Sequence, residues 1–332
     1  MSAELEFRLL NEFQRGFPLE ARPYARIAER LDVTEGWVLA QLAGLLRDGA
    51  IARVGAVFAP GAFGASTLAA LEVPAERLDE VAALVSARPE VNHNYERENR
   101  INLWFVAMTD SAERLRQVLR EIELAAMCGP LLDLRMVEEF RIDLGFDLRD
   151  GDSSKGLEPP RAAAEPRTLS DSDRRLLVAL QEGLPIVAEP YAALASAAGL
   201  AQGDVLERLR DWVQADVIRR LGVVVRHREL GYRCNAMVVW DVPDGVVRPL
   251  GLNLAQQPGV TLCYRRARGG PRWPYNLYCM IHGRSRDGVR AQLRRIHEHT
   301  GLGAFPSQVL FSRTRFKQTG ARYVSGKDLA YG

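Results

Sequence analysis

Cysteine is scarce in this chain: Cys128, Cys234, Cys263 and Cys279 are the 4 present among 332 residues. None stands in a C-x-x-C pair or at zinc spacing, and all lie in apolar or strand-like segments. This argues against a secreted disulfide framework and a structural zinc site, and for reduced thiols in the cytoplasm. No uninterrupted apolar run reaches the ~18 residues of a membrane span. No signal-type apolar segment follows the acidic start Met-Ser-Ala-Glu-Leu-Glu. Surplus charge is lacking too. The 44 basic and 42 acidic residues leave +2, so any basic site must be local, and bulk charge gives no reason to expect nucleic acid or a bilayer as partner. The common enzyme signatures are also missing: there is no G-x-G-x-x-G after a strand, no G-x-x-x-x-G-K-S/T, no H-E-x-x-H and no G-x-S-x-G. What remains is an ordinary globular balance, 47% hydrophobic and 26% charged, long enough for two or three domains.

The chain is written twice. RLLNEFQRGFPLEARPY at 8–24 aligns with RLLVALQEGLPIVAEPY at 175–191, an offset of 167 that holds through IARVGAVF (51–58) and IRRLGVVV (218–225). After small gains of length in the second copy, VNHNYER (91–97) aligns with VTLCYRR (260–266), and INLWF (101–105) with YNLYC (275–279). Between the copies, RDGDSSKGLEPPRAAAEPRT has no apolar period and reads as a linker. The expected organisation is a helix-turn-helix at 1–50, a ferredoxin-like domain at 51–148, a linker at 149–169, a second helix-turn-helix at 170–217 and a second ferredoxin-like domain at 218–332.

Within copy one, Leu5–Phe13 is apolar at helical spacing, Pro23 opens a second helix, and Thr34 can cap a third that Gly49 closes. The following segments read strand, helix, strand, strand, helix, strand, the last helix capped by Asp110 or Ser111. The fold class is therefore α+β, a tandem repeat of a helix-turn-helix followed by a ferredoxin-like βαββαβ domain with its helices on one face. The two ferredoxin-like domains are expected to pack through their sheets as a pseudo-dimer within one chain, with further homo-oligomerisation left open. A recognition helix needs donors for phosphates and base edges. The third helix of copy one has Arg47 as its only cation, at the far end, and that of copy two sets Arg208 and Arg210 against Asp204, Glu207 and Asp211. Neither is a basic stripe, so no specific DNA binding is expected, and a packing role suits these helices better.

The positive charge is concentrated elsewhere. Residues 260–284 carry Arg265, Arg266, Arg268, Arg272, Arg284 and His282 without one acid. Residues 218–228 add Arg219, Arg220, Arg226, His227 and Arg228, again without an acid. A solvated basic face is the plain reading of such runs. These arginines, however, lie in or between apolar strands and are mixed with Tyr264, Trp273, Tyr275 and Tyr278. Guanidinium forks among aromatics suit a flat ligand bearing carboxylates or phosphates. The insertion ARGGPRWP would form a hairpin able to close over it. Strand alternation puts His93, Tyr95 and Arg97 on one face, and Tyr264 and Arg266 on the matching face of copy two. On the next strand Asn102 and Trp104 match Asn276 and Tyr278. His227 is the best acid–base candidate, and His282 could face the same site. His297 and His299 sit at a helix C-terminus, where the dipole accounts for them, and no metal site is expected.

These strings carry a family resemblance. Helix-turn-helix followed by a ferredoxin-like domain resembles the Lrp/AsnC-like superfamily. VNHNYERENRINLWF (91–105) resembles the NirD-type motif of the sirohaem (siroheme) decarboxylases, and GVVVRHRELGYRCNAMVVWDVP (222–243) with CYRRARGGPRWPYNLYCMIHG (263–283) resembles the NirL-type motif. The resemblance covers the chain apart from linker and tail, in the layout of a fused NirD/NirL protein. It implies loss of CO2 from the C12 and C18 acetates of sirohaem to give 12,18-didecarboxysirohaem, toward haem d1 or haem b. No cofactor is implied beyond the iron tetrapyrrole substrate itself. The reacting acetate would sit near His227 and Tyr264, with Arg226 and Arg266 holding carboxylates. Arg265, Arg268, Arg272, Trp273, Tyr275, Asn276 and His282 would line the substrate, and His93, Tyr95 and Arg97 would form the corresponding pocket of copy one. Asn99 and Ile101 depart from the family pattern, which often has a histidine and an aromatic there, so no histidine role passes to Asn99. A ligand-sensing Lrp/AsnC-like transcription regulator and a non-catalytic tetrapyrrole carrier are the competing readings.

Overall fold

The computed structural model describes residues 2–59, 61–142, 169–225 and 234–320. Residues 149–168 of the expected linker lie outside them, as do Arg226, His227 and Arg228. In copy one the chain runs α1 (Ser2–Glu12), α2 (Pro23–Leu31), α3 (Glu35–Arg47), β1 (Ile51–Phe58), β2 (Ala65–Leu71), α4 (Leu78–Ala87), β3 (Val91–Arg97), β4 (Leu103–Thr109), α5 (Ala112–Ala126), β5 (Leu132–Leu134) and β6 (Met136–Ile142). Copy two runs α6 (Asp171–Gln181), α7 (Pro190–Ala198), α8 (Gln202–Gln214), β7 (Ile218–Val225), β8 (Cys234–Trp240), α9 (Val247–Ala255), β9 (Val260–Arg266), β10 (Leu277–Gly283), α10 (Arg286–Thr300) and β11 (Ser307–Gln318). The expected helix caps form: Thr34 Oγ1 accepts from the Trp37 amide at 3.2 Å, and Ser111 Oγ from the Arg114 amide at 3.2 Å.

Two compact units result, and the division between them does not follow the repeat. One gathers the helix-turn-helix elements of both copies with β1 and β7. These two strands, expected to open the ferredoxin-like domains, instead pair antiparallel with each other, Gly55 opposite Gly222. The reason is steric. A Cβ on Gly222 would stand 2.4 Å from the carbonyl oxygens of Phe13 and Gln14, so glycine alone lets the ribbon lie against the turn after α1. The Val223 amide donates to Phe13 O there at 2.8 Å. The two copies are stitched reciprocally in this unit. The buried Tyr24 hydroxyl donates to Pro185 O at 3.1 Å, and the Tyr191 hydroxyl to Pro18 O at 2.8 Å. Of the α8 cations, Arg210 joins the copies by donating to Leu19 O at 2.7 Å, and Arg208 pairs with Asp173 of α6 within copy two.

The other unit holds a nine-stranded sheet in the order β5-β2-β4-β3-β11-β8-β10-β9-β6. Each copy contributes a ferredoxin-like set of strands, but the last strand is shared with the other copy. β11 pairs with β8 of its own copy through Ser307–Phe311, then with β3 of copy one through Ser312–Gln318. In copy one, β5 pairs with β2, and β6 crosses to β9 of copy two. The sequence explains why the exchange holds. MVEEFRI of β6 and SRTRFKQ of β11 each bring a phenylalanine to the other copy's helix-facing core: Phe140 buried under α9 and Phe316, partly buried, beside α4. Gly251 makes room for Phe140, because a Cβ there would meet its ring at 2.2 Å. The next residue caps the other copy's helix. Lys317 Nζ donates to Ser86 O and Arg88 O, each at 2.8 Å, at the end of α4, and Arg141 Nη1 to Ala255 O at 2.9 Å, at the end of α9.

Facing away from the helices, Ala70, Trp104, Leu132 and Leu134 of copy one meet Met237, Val239, Trp273, Tyr278 and Leu310 of copy two in one inter-sheet core. Burying a Phe-sized side chain contributes about 1.5–3 kcal/mol, and the exchange buries Phe140 fully in one direction and Phe316 in part in the other. Cutting the chain once between residues 149 and 168 should therefore leave both parts in one particle. Size-exclusion chromatography at micromolar concentration would test this, and separate elution of the two fragments would contradict the strand exchange.

Candidate functional site

The Tyr-x-Arg strings of β3 and β9 occupy equivalent places, and each arginine runs inward to the point where the other copy's strand crosses. Arg97 Nη1 donates to Leu310 O at 3.3 Å and Ser312 Oγ at 3.0 Å, Nη2 lies 3.9 Å from Met280 Sδ, and the guanidinium stands 5.7 Å from the Tyr95 ring centre. Arg266 Nη1 donates to Leu134 O at 2.9 Å, its guanidinium 5.1 Å from the Tyr264 ring and 5.9 Å from that of Tyr278. Leu310 precedes Ser312, and Leu134 precedes Met136, by the same two positions in strands that face Arg97 and Arg266 in register. Neither arginine forms a salt bridge, and neither Nε is hydrogen-bonded, among the described residues. Burial pulls the Arg97 pKa down to about 10, opposed by Tyr95, and pulls that of Arg266 in the same direction, opposed by Tyr264 and Tyr278. Burial also pushes the Tyr264 phenol well above its ordinary value, with the Arg266 charge acting against it. A guanidinium in such a setting stays charged, and its attraction for an incoming anion is screened far less than on the surface.

Around Arg97 the polar groups continue. Tyr95 Oη donates to Gln318 Oε1 at 3.0 Å, and Arg315 Nη1 donates to the same oxygen at 3.2 Å. His93 stacks beside Tyr95 with ring centres 6.4 Å apart, its Nδ1 2.9 Å from Asn92 Oδ1. His282 lies on β10 with Nδ1 3.1 Å from Thr261 Oγ1. Around Arg266 the corresponding positions are apolar or acidic: Leu262 stands in place of His93, Ile142 in place of Gln318, Met136 in place of Ser312 and Glu139 in place of Arg315.

Other expected ligand-lining residues are committed to the protein itself. Arg265 points to the other face of β9 and pairs with Asp244 at 3.0 Å. Arg268 is held by Asp241 at 2.6 Å, Val242 O at 2.7 Å and Pro274 O. Arg272 donates to Pro130 O at 2.9 Å and lies 3.5 Å from Glu72. The ARGGPRWP insertion is thus no open flap. Trp273 is 2% exposed, packed 5.0 Å from Trp104 and 4.9 Å from Tyr275, with Nε1 donating to Tyr278 Oη at 2.7 Å. Asn276 is structural for a different reason. Its Oδ1 accepts from the Val242 amide at 3.0 Å and its Nδ2 donates to Val242 O at 2.9 Å, so both ends of the amide are used. Asn102 grips Val73 in the same way at 2.9 Å and 2.9 Å, which is why Asn recurs in both copies. Arg226 and His227 lie outside the described residues.

Sequence reasoning missed Arg315, Gln318, Ser312 and Glu139. Aligning MVEEFRI with SRTRFKQ through Phe140 and Phe316 would have placed them as equivalents. Only the strand exchange brings them beside the Tyr-x-Arg faces.

With this geometry in view, comparison with known proteins defines the class. The model of the AsnC-like ligand binding domain matches residues 62–141 and 229–317, and that of the siroheme decarboxylase NirDL-like HTH domain matches 6–51 and 173–219. The chain is thus a duplicated helix-turn-helix and AsnC-like protein. It belongs, more narrowly, to the siroheme decarboxylase NirDL family. A siroheme decarboxylase NirDL subunit of Paracoccus pantotrophus is 46% identical over 319 residues, 96% of this chain and 97% of that one. The crystal structure of a siroheme decarboxylase NirDL is similar with a TM-score of 0.72 at 27% identity, over 98% of this chain and 96% of that chain. A second NirDL crystal structure, in co-complex with an iron-uroporphyrin III analogue, is similar with a TM-score of 0.70 at 25% identity, over 100% and 97% of the two chains.

A replacement separates structural from ligand-lining roles. Asn276→Ala leaves the amide and carbonyl of Val242 buried without partners, at about 1–3 kcal/mol for each such group. Urea denaturation should show a loss of roughly that size. Unchanged stability would return Asn276 to the ligand-lining set.

Proposed function

We propose that this protein removes carboxyl groups, as CO2, from the C12 and C18 acetates of sirohaem, giving 12,18-didecarboxysirohaem. The observation that carries this reading is the pair of inward arginines, Arg97 and Arg266, set among aromatics and without carboxylate partners among the described residues, in a chain of the NirDL family. A flat macrocycle rimmed with carboxylates has the charge and shape these groups lack. Loss of CO2 from a ring acetate leaves an electron pair that the conjugated macrocycle delocalises, and a proton delivered to the same carbon completes the methyl group. In the copy-two site Tyr264 and Arg266, with Arg226 and His227, are the candidates for the reacting acetate. In the copy-one site His93, Tyr95 and Arg97 are the candidates for holding carboxylates. His282 is a further candidate, on β10 near Arg97 through Met280. The iron belongs to the substrate, and no cluster of His, Cys, Asp or Glu fit to hold a metal occurs among the described residues.

Anaerobic incubation with iron sirohaem, followed by product mass, tests the activity: loss of two CO2 is expected, and recovery of unaltered sirohaem would refute it. His227→Ala should slow the reaction by roughly 10²–10⁴-fold if His227 is the general acid, with binding retained. Arg266→Ala should weaken binding by about 1.5–3 kcal/mol, the worth of a charge-assisted hydrogen bond.

Regulation of transcription is disfavoured by the use to which the helix-turn-helix cations are put, Arg208 and Arg210 being engaged in packing. Specific DNA binding should be absent or weak at physiological salt. A nanomolar footprint with a steep salt slope would reverse this. No helix among the described residues is long and apolar enough to cross a membrane.

A further inference from the structure

The two Tyr-x-Arg sites share a backbone frame and differ in charge, and the difference lies on the exchanged strands. Opposite Tyr95, β11 brings Arg315; opposite Tyr264, β6 brings Glu139. Residues directly opposite on neighbouring strands point to the same side, so each of these side chains belongs to the face that carries its tyrosine and arginine. Glu139 acts electrostatically on Tyr264, and Arg315 shares the Gln318 Oε1 acceptor with Tyr95. On the copy-one face Arg97 and Arg315 thus stand beside one tyrosine, two guanidinium groups on neighbouring strands. The neutral positions follow the same trend. Copy one has His93, Ser312 and Gln318 where copy two has Leu262, Met136 and Ile142. The copy-one face therefore sets several donors side by side, enough to hold more than one anionic group.

We propose that the β3–β11 face is the high-affinity carboxylate-gripping site for the tetrapyrrole, with Arg315 and Gln318, delivered by the last strand of copy two, as substrate ligands beside Tyr95 and Arg97. This rests on the sirohaem reading. The chemistry it requires is general: guanidinium groups bind carboxylates through charge-assisted and often bidentate hydrogen bonds, and two such groups on one face discriminate by the number of carboxylates the ligand carries. Gln318 Oε1 accepts from Tyr95 and Arg315, which holds both donors side by side and leaves its own amide nitrogen to donate. Copy two thus completes the site of copy one. The equivalent position of copy two is Glu139, opposite Tyr264.

The test is titration of the full-length protein with iron uroporphyrin III, followed by Soret absorbance, alongside iron protoporphyrin, which has fewer carboxylates. Arg315→Glu should weaken iron uroporphyrin binding by about tenfold or more, the lower end of a charge-assisted hydrogen bond. The effect should shrink with added salt. Arg315→Lys should retain most of the affinity. Iron protoporphyrin should bind Arg315→Glu within a few-fold of wild type, which shows that the variant is folded. Wild-type affinity in Arg315→Glu, or equal losses for both porphyrins in a variant with a wild-type circular dichroism spectrum, would overturn the proposal. If the wild-type chain left iron sirohaem unaltered while the Arg315 dependence of binding persisted, the decarboxylase reading would fall and the carboxylate site would stand.

Discussion

A β-sheet that ends in an open row of amide and carbonyl groups invites pairing with another chain, and the arrangement of this protein follows from how that row is closed. Each copy yields the second half of its last strand to the other, so β11 joins β3 to β8 and the β5–β6 segment pairs with β2 at one end and β9 at the other. The exchange fixes register through Phe140 and Phe316, caps α4 and α9 with Lys317 and Arg141, and brings carbonyl oxygens of Leu310 and Leu134 to the two inward arginines.

Those arginines are the costly part of the structure. Taking a guanidinium out of water is unfavourable unless its donors are satisfied, and one carbonyl, or a carbonyl and a hydroxyl, satisfies only part of the fork. The depressed pKa of Arg97 expresses that deficit. Stability alone would replace such groups with apolar residues of similar volume, as the rest of the inter-sheet core does with Leu, Met and Trp. Under the proposed sirohaem function, their presence in equivalent places of two diverged copies is accounted for by an anion that completes the hydrogen bonding. The aromatic walls, Tyr95 on one side and Tyr264 with Tyr278 on the other, leave that anion a flat shape to belong to.

Much of this was legible in the sequence, and the limits have physical causes. Alternation placed His93, Tyr95 and Arg97 on one face, and Tyr264 with Arg266 on its equivalent, because the side-chain period of a strand is a local property. Thr34 and Ser111 were legible as caps for the same reason. Strand exchange is not local: nothing within MVEEFRI says that it pairs with VTLCYRR and not with its own copy, and the residues it delivers, Arg315 and Glu139, went unseen with it. The Gly/Pro-rich insertion with its cations reads as a hairpin able to close over a ligand, and the contacts that hold it, Asp241 to Arg268, Glu72 to Arg272 and Trp104 to Trp273, come from residues distant in the chain. The recurring Asn was read with the site because a buried amide serving a backbone turn and one serving a ligand are the same residue in a string.

Fusion of the copies in one chain gives the exchange a consequence that a symmetric dimer could not have. In a homodimer the residue opposite each tyrosine is the same by symmetry, so a site cannot gain Arg315 without its partner gaining the identical charge. Two adjacent cationic faces would then repel each other and would compete equally for one ligand. Written as a repeat, the two strands diverge independently. Copy two can supply an arginine to copy one while receiving a glutamate in return, and the inserted Trp273 can fill the inter-sheet core from one side only. The pseudo-two-fold axis is preserved where packing needs it, at Asn102 and Asn276, Phe140 and Phe316, Arg141 and Lys317. It is broken where a ligand would be met. The inward faces of the exchanged strands are among the places where the copies differ, Arg315 against Glu139 and Gln318 against Ile142, on a frame whose packing positions remain paired.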